Sequence, residues 1–263
     1  MVLCFSAVSM TGCGNTPSGA AIPDATPPPR VSVDEIIKGY KDTDNYRSSL
    51  VKSRARITEA DGSAQEIEMT VYRNRAEDGA QKLLVQFPGQ QRDRSGLILI
   101  SPEGDIEGIR YAQSTGSYVS SKNVSGEDSL FGMSLQELAD GQPDKYDFKL
   151  AGEDKSGEVP VYKLDGKLKA GAESKFQRLV VYLAKDSFAL AGADFYYSQD
   201  ELARRVTVEK LERVGGYWTR QVWSVDNIAR GKKVRFETLS VRYDREIPDS
   251  TFTRENLKQI SIR

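Results

Sequence analysis

Histidine is absent from the 263-residue chain. That removes the commonest general base, the commonest metal ligand and the only side chain that titrates near neutrality without perturbation, which weighs against hydrolases and zinc enzymes. Cysteine is nearly absent, since Cys4 and Cys13 both lie in the first thirteen residues. The body of the chain therefore has no thiol nucleophile, disulfide or cysteine metal site. Neither charge is in excess, with 37 Lys and Arg against 38 Asp and Glu and a net charge of −1, so no overall field draws nucleic acid. Hydrophobic residues make up 38% and charged residues 29%, a balance ordinary for a water-soluble domain with a sizeable core and too polar for a multi-span membrane protein. No catalytic residue, metal or cofactor is expected. The carboxylates of Glu66, Glu68 and Asp128 sit in periodic or turn contexts that solvated surface explains.

The cysteines that are present mark the N-terminus. Residues 2–10, Val-Leu-Cys-Phe-Ser-Ala-Val-Ser-Met, are far short of the ~20 residues that span a bilayer and suit the apolar region of a secretion signal. Met10-Thr11-Gly12-Cys13 follows and resembles the lipobox of bacterial lipoproteins, in which an apolar residue and two small ones precede the cysteine that takes lipid. Basic residues are missing before Val2, which points to a truncated or misassigned start. Residues 1–13 are thus expected to be a signal with lipidation at Cys13. Residues 14–30, rich in proline and small side chains, read as a tether spanning ~23 Å on average or ~50 Å as polyproline II. A domain anchored in this way works outside the cytoplasm, at the periplasmic side of either membrane or at the cell surface.

Within 31–50, Ser32 is a candidate N-cap, and Val33, Ile36, Ile37 and Tyr40 recur at helical spacing, predicting an amphipathic helix that lies on a sheet. From Lys52 the period changes to two, as Ile67, Met69 and Val71 alternate with Glu66, Glu68 and Thr70. Further strands are predicted at 82–87, 96–100, 159–168, 176–183, 189–198, 202–211, 218–227 and 234–243, separated by turn signals such as Asp61-Gly62 and Asp78-Gly79. Short connections imply an antiparallel meander. Residues 97–100 and 179–183 are apolar on both faces, while Val206, Val208, Trp223, Val225, Leu239 and Val241 form one greasy side. A long curved sheet with a helix over its apolar concave face explains both features, whether that face is filled or hollow. The stretch 117–150 breaks the rhythm, and Leu130, Met133 and Leu135 within it suit a short helix. The basic runs Arg92 to Arg94 and Lys232-Lys233 read as solvated sheet edges.

Asp-Glu-Ile-Ile at 34–37 with Asn45-Tyr46, a long hairpin, Gly-Ser-Tyr-Val at 116–119 and a closing Tyr-Asp-Arg-Glu-Ile-Pro-Asp-Ser-Thr-Phe-Thr at 243–253 come in an order that resembles the LolA-like, outer-membrane lipoprotein-sorting superfamily. The likeness spans the domain at 31–263 by element order and local pattern, with no catalytic signature to match. It implies a mainly β fold with some α: a curved antiparallel sheet forming an unclosed half-barrel, covered by an N-terminal helix and a short helical lid, with an apolar cavity for the acyl chains of a lipid or lipoprotein. Alternation together with the superfamily's inward face selects Met69, Val71, Leu84, Ile98, Ile100, Leu130, Met133, Leu135, Val181, Phe195, Val208 and Trp223 as lining residues. The expected function is a lipid-anchored carrier, acceptor or envelope sensor, because a lipobox disfavours a shuttle that must leave the membrane. The alternative is a module that binds another envelope protein through Tyr196, Tyr197, Tyr217 and Trp218.

Overall fold

The computed structural model describes residues 31–122 and 143–262. The signal with Cys13, the tether and the expected lid carrying Leu130, Met133 and Leu135 lie outside the described residues.

Helix α1, Val33–Asp42, begins as the sequence dictates. The Ser32 hydroxyl accepts the Glu35 N–H, and the Glu35 carboxylate accepts the Ser32 N–H at 2.8 Å, so two otherwise orphaned donors are satisfied reciprocally. Ile36 is fully buried beneath the helix. The helix stops well short of residue 50, where the Thr43 hydroxyl donates to the Tyr40 carbonyl at 2.7 Å and the chain turns into the first strand.

Thirteen strands follow among the described residues: β1 Ser48–Thr58, β2 Ala64–Arg75, β3 Gln81–Gln86, β4 Gly96–Ile100, β5 Ile106–Ala112, β6 Ser117–Lys122, β7 Tyr146–Ser156, β8 Val159–Leu168, β9 Arg178–Ala184, β10 Leu190–Tyr196, β11 Leu202–Val214, β12 Tyr217–Asn227 and β13 Lys232–Tyr243. They form a single antiparallel sheet in the order β6-β5-β4-β3-β2-β1-β13-β12-β11-β10-β9-β8-β7. Two meanders are thus joined where β1 pairs with β13, and the sheet is not closed into a barrel. The Asp61-Gly62 turn between β1 and β2 uses a left-handed Gly62, φ 84°, a conformation that costs glycine little.

Three findings correct the sequence reading. The stretch 117–150 does not abandon the strand rhythm, since β6 and the start of β7 fall within it. Serines in β6 and charges in β7 hide the alternation, as expected for strands that pair on one side only. Lys232 and Lys233 stand on β13, a strand at the middle of the sheet with a neighbour on each side, and Lys232 is bridged to Glu59 at 2.7 Å. A C-terminal helix, α2 Arg254–Ile262, was not anticipated.

Residues opposed across antiparallel strands share a face, so the register sorts the apolar side chains into two layers. On the inner face Ala55, Ile57, Ile67, Met69, Val85, Ile98, Val225, Val234 and Phe236 form one core cluster. On the outer face Leu84, Leu97, Ile109 and Tyr111 pack under Phe252 and under Leu257 of α2. Covering on both sides explains the double-faced run at 97–100, where Leu97 and Leu99 point out and Ile98 and Ile100 point in.

The register also slips by one residue at Glu209 in β11, Gln221 in β12 and Leu239 in β13. Bulges add bend and twist, and here they stand on three adjacent strands. As an extra residue, Leu239 leaves the greasy side assigned to it and is 37% exposed.

Candidate functional site

The last turn of α1 roofs a cavity of about 290 Å³ on the inner face. Its apolar walls are Val51 of β1, Met69 and Val71 of β2, Leu83 of β3, Trp223 of β12 and Phe236 of β13. The Trp223 and Phe236 rings stack with centroids 4.1 Å apart and planes inclined by 13°. Leu190 of β10 also lines the cavity, six strands away from Leu83 in the sheet order. On a flat sheet six steps of ~4.8 Å would separate them by roughly 29 Å, so a cavity this small can touch both only because the sheet curls around it.

The roof is tied at both sides. Lys41 of α1 bridges to Asp144 at 2.6 Å, and Gly39 lies so close to Phe188 that a Cβ there would clash with the ring. Phe188 itself has φ 55°, a strained conformation for a bulky residue. On the other side Asp44, just past the helix, accepts from the Arg73 guanidinium of β2 at 3.1 Å.

Arg73 anchors a polar, aromatic end of the cavity. Its side chain is 12% exposed and donates also to the Tyr46 hydroxyl at 2.6 Å and to Gln81 at 3.0 Å. Tyr46 packs on Tyr243 and Tyr217 with centroids 4.7 and 5.6 Å apart. Tyr243 shares a hydrogen bond with Thr219 at 2.8 Å, and Tyr217 donates to Asp244. Burial first, then the Asp44 charge, pushes the Tyr46 phenol far above its ordinary value. Burial likewise raises Tyr40 and Tyr243, so these phenols stay neutral. The Tyr217 hydrogen bond holds Asp244 below the usual carboxylate range. No cluster of three or more Asp, Glu, His or Cys suited to a metal occurs among the described residues. The cavity thus offers an apolar pocket with hydrogen-bonded polar groups at one end, an arrangement suited to holding an amphiphile.

Of the residues selected from sequence, Met69, Val71 and Trp223 line this cavity. Val208 stands opposite Trp223, while Ile98 and Ile100 pack with Met69 where the inner face is filled. Val181 and Phe195 belong to the same face farther along, with Phe195 against Phe176 at 5.1 Å. Leu84 is corrected outright: it is 1% exposed on the outer face beneath α2. In Lys82-Leu83-Leu84-Val85 both phases are apolar, and Leu83, not Leu84, points into the cavity. The aromatic anchors also change role. Trp218 lines the cavity, Tyr197 stacks on Phe176, Tyr196 lies under Arg178, and Tyr217 joins the tyrosine cluster.

The sequence reading passed over Val51, Arg73, Leu83 and Phe236, which period-two counting along β1, β2, β3 and β13 recovers, and Arg220, which it does not. Two larger grooves, about 620 and 650 Å³, flank Ile247 at the strand ends. They are more open and carry Arg47, Arg75, Arg242 and Glu246 on their walls, so they enclose an apolar ligand less well.

No curated protein matches the chain. A DUF1329 family protein from Desulfovibrio piger has a TM-score of 0.73 at 22% identity, with 85% of this chain and 96% of that one covered. A domain from Vibrio parahaemolyticus described as an outer membrane lipoprotein-sorting protein gives 0.73 at 18%, covering 85% and 97%. A LolA superfamily protein from Nitrosomonas europaea gives 0.63 at 14%, covering 86% and 100%. A family profile described only as that of an uncharacterized protein matches residues 79–259, more than half of the chain. The chain belongs to that family, and its fold is that of these three solved structures.

Proposed function

We propose that this is a lipid-anchored extracytoplasmic protein that shelters an acyl chain of a lipid or lipoprotein beneath α1, as a carrier, acceptor or sensor, and that it is not an enzyme. The observation that carries this reading is the cavity on the inner face, walled by Val51, Met69, Val71, Leu83, Trp223 and Phe236. Each methylene buried there contributes about 0.8 kcal/mol. Among the described residues the one carboxylate on the cavity wall, Asp44, is engaged by Arg73 and is thereby disfavoured as a general base.

Cys13 with its lipobox and the proline-rich tether would hold the cavity close to a bilayer, and no helix among the described residues is long and apolar enough to cross one. The lipoprotein-sorting description of the Vibrio relative is in keeping with this role. The protein-binding alternative loses support, because its four aromatic anchors make contacts within the fold.

Mass spectrometry of lipids extracted from protein purified in its native host without detergent tests the proposal. An acyl species near one per protein is expected on the wild type, and a large loss on Val71→Trp, which fills the cavity. A wild type that is reproducibly empty would overturn it.

A further inference from the structure

We propose, resting on the reading of the cavity as an acyl-chain site, that its ligand is a single-chain amphiphile with an anionic head, and that Arg220 receives the head. Three observations carry this.

The first is orientation. Arg220 and Trp223 are three residues apart on β12, a spacing that in a regular strand puts two side chains on opposite faces. The slip at Gln221 cancels one step of the alternation, so both line the cavity. Bulges commonly re-aim a side chain next to a site, and here the result is a guanidinium 4.9 Å from the Trp223 ring centroid.

The second is charge. Several arginines of the sheet are matched: Arg54 by Glu68 and Glu237, Arg235 by Glu209, Arg205 by Asp194, and Arg73 by Asp44. Among the described residues no carboxylate forms an ion pair with Arg220. It is exposed, while Trp223 beside it is half-buried, so the cation stands where a tail would run inward and a head would meet water. A cationic head would meet both Arg220 and Arg73 there.

The third is size. At roughly 30 Å³ for a water-sized unit, 290 Å³ holds about ten such units. That suits one hydrocarbon chain of moderate length.

The test uses the chain's own reporters, since its two tryptophans, Trp218 and Trp223, both line the cavity. Tryptophan emission of the wild type would be titrated with dodecanoate, dodecyl phosphate, dodecyltrimethylammonium and dodecyl maltoside, each below its micelle concentration. Both anions are expected to bind at least about tenfold more tightly than the other two, as one charge-assisted contact would give. The tighter of the two anions separates a carboxylate head from a phosphate head. Arg220→Gln should bring the dodecanoate-to-maltoside ratio close to one, and Arg220→Lys should restore most of it. Equal binding of all four amphiphiles, or an undiminished ratio in Arg220→Gln, overturns the head-group assignment and leaves the acyl cavity standing. Binding of none of them overturns both.

Discussion

Strands β4 and β11 belong to one sheet yet read differently, because different things cover them. In β4, Ile98 and Ile100 meet the inner core while Leu97 and Leu99 lie under α2 and the turn before it. In β11, Val206 and Val208 point inward, whereas the outer side carries ion pairs: Arg205 grips Asp194 at 2.7 and 3.0 Å, and Glu209 meets Arg235 at 2.9 Å. An apolar pattern on both phases thus reports a second cover, and an alternating one reports water.

The largest effect in this contrast should come from removing the cover of β4. Leu257 is fully buried, so Leu257→Ala is expected to cost about 2–5 kcal/mol, read as a fall in the urea midpoint. A cost near zero would mean that α2 does not shield the outer layer. Next comes the roof of the inner face. Gly39→Ala drives a methyl into the Phe188 ring and should cost about 1–3 kcal/mol, with Phe188→Ala in the same chain restoring most of the room. If Gly39→Ala alone is neutral, α1 does not sit on the 185–189 loop in solution.

The ion pairs on the uncovered side should matter least. Glu209→Ala ought to cost less than about 1 kcal/mol, since both partners are about half exposed and solvent screens the pair. Farther along the same face, hydrogen bonds from Arg178 hold Asp165 below the usual carboxylate range. A depressed folded value makes the unfolded chain bind the proton more readily, so the contribution is present above about pH 4 and fades as pH falls through the folded value. Asp165→Asn should therefore cost below about 1 kcal/mol at pH 7 and nothing in strong acid. Urea midpoints at the two pH values check this, and a gap that widens toward acid would reverse the sign.

Much of this was legible in the sequence because the inner face repeats every second residue. Ile67, Met69 and Val71 gave both their strand and their side, and Ser32 with Glu35 gave the helix start. Where both phases are apolar, as at Leu83-Leu84, alternation has no power to choose, and only the position of α2 decides. Strands β6 and β7 were hidden because edge strands carry polar residues on both faces. Arg220 could not have been found by counting, since its aim depends on a slipped register that only the pairing of β11 with β12 reveals.

Quenching of Trp218 and Trp223 by dodecanoate brominated at mid-chain probes the acyl cavity most directly. A bromine carried inside the pocket touches both rings, so loss of most of the emission at saturation, reversed by unbrominated dodecanoate, is the expected result. Emission that stays unquenched while the protein demonstrably holds the brominated chain would place the hydrocarbon elsewhere and contradict the cavity beneath α1.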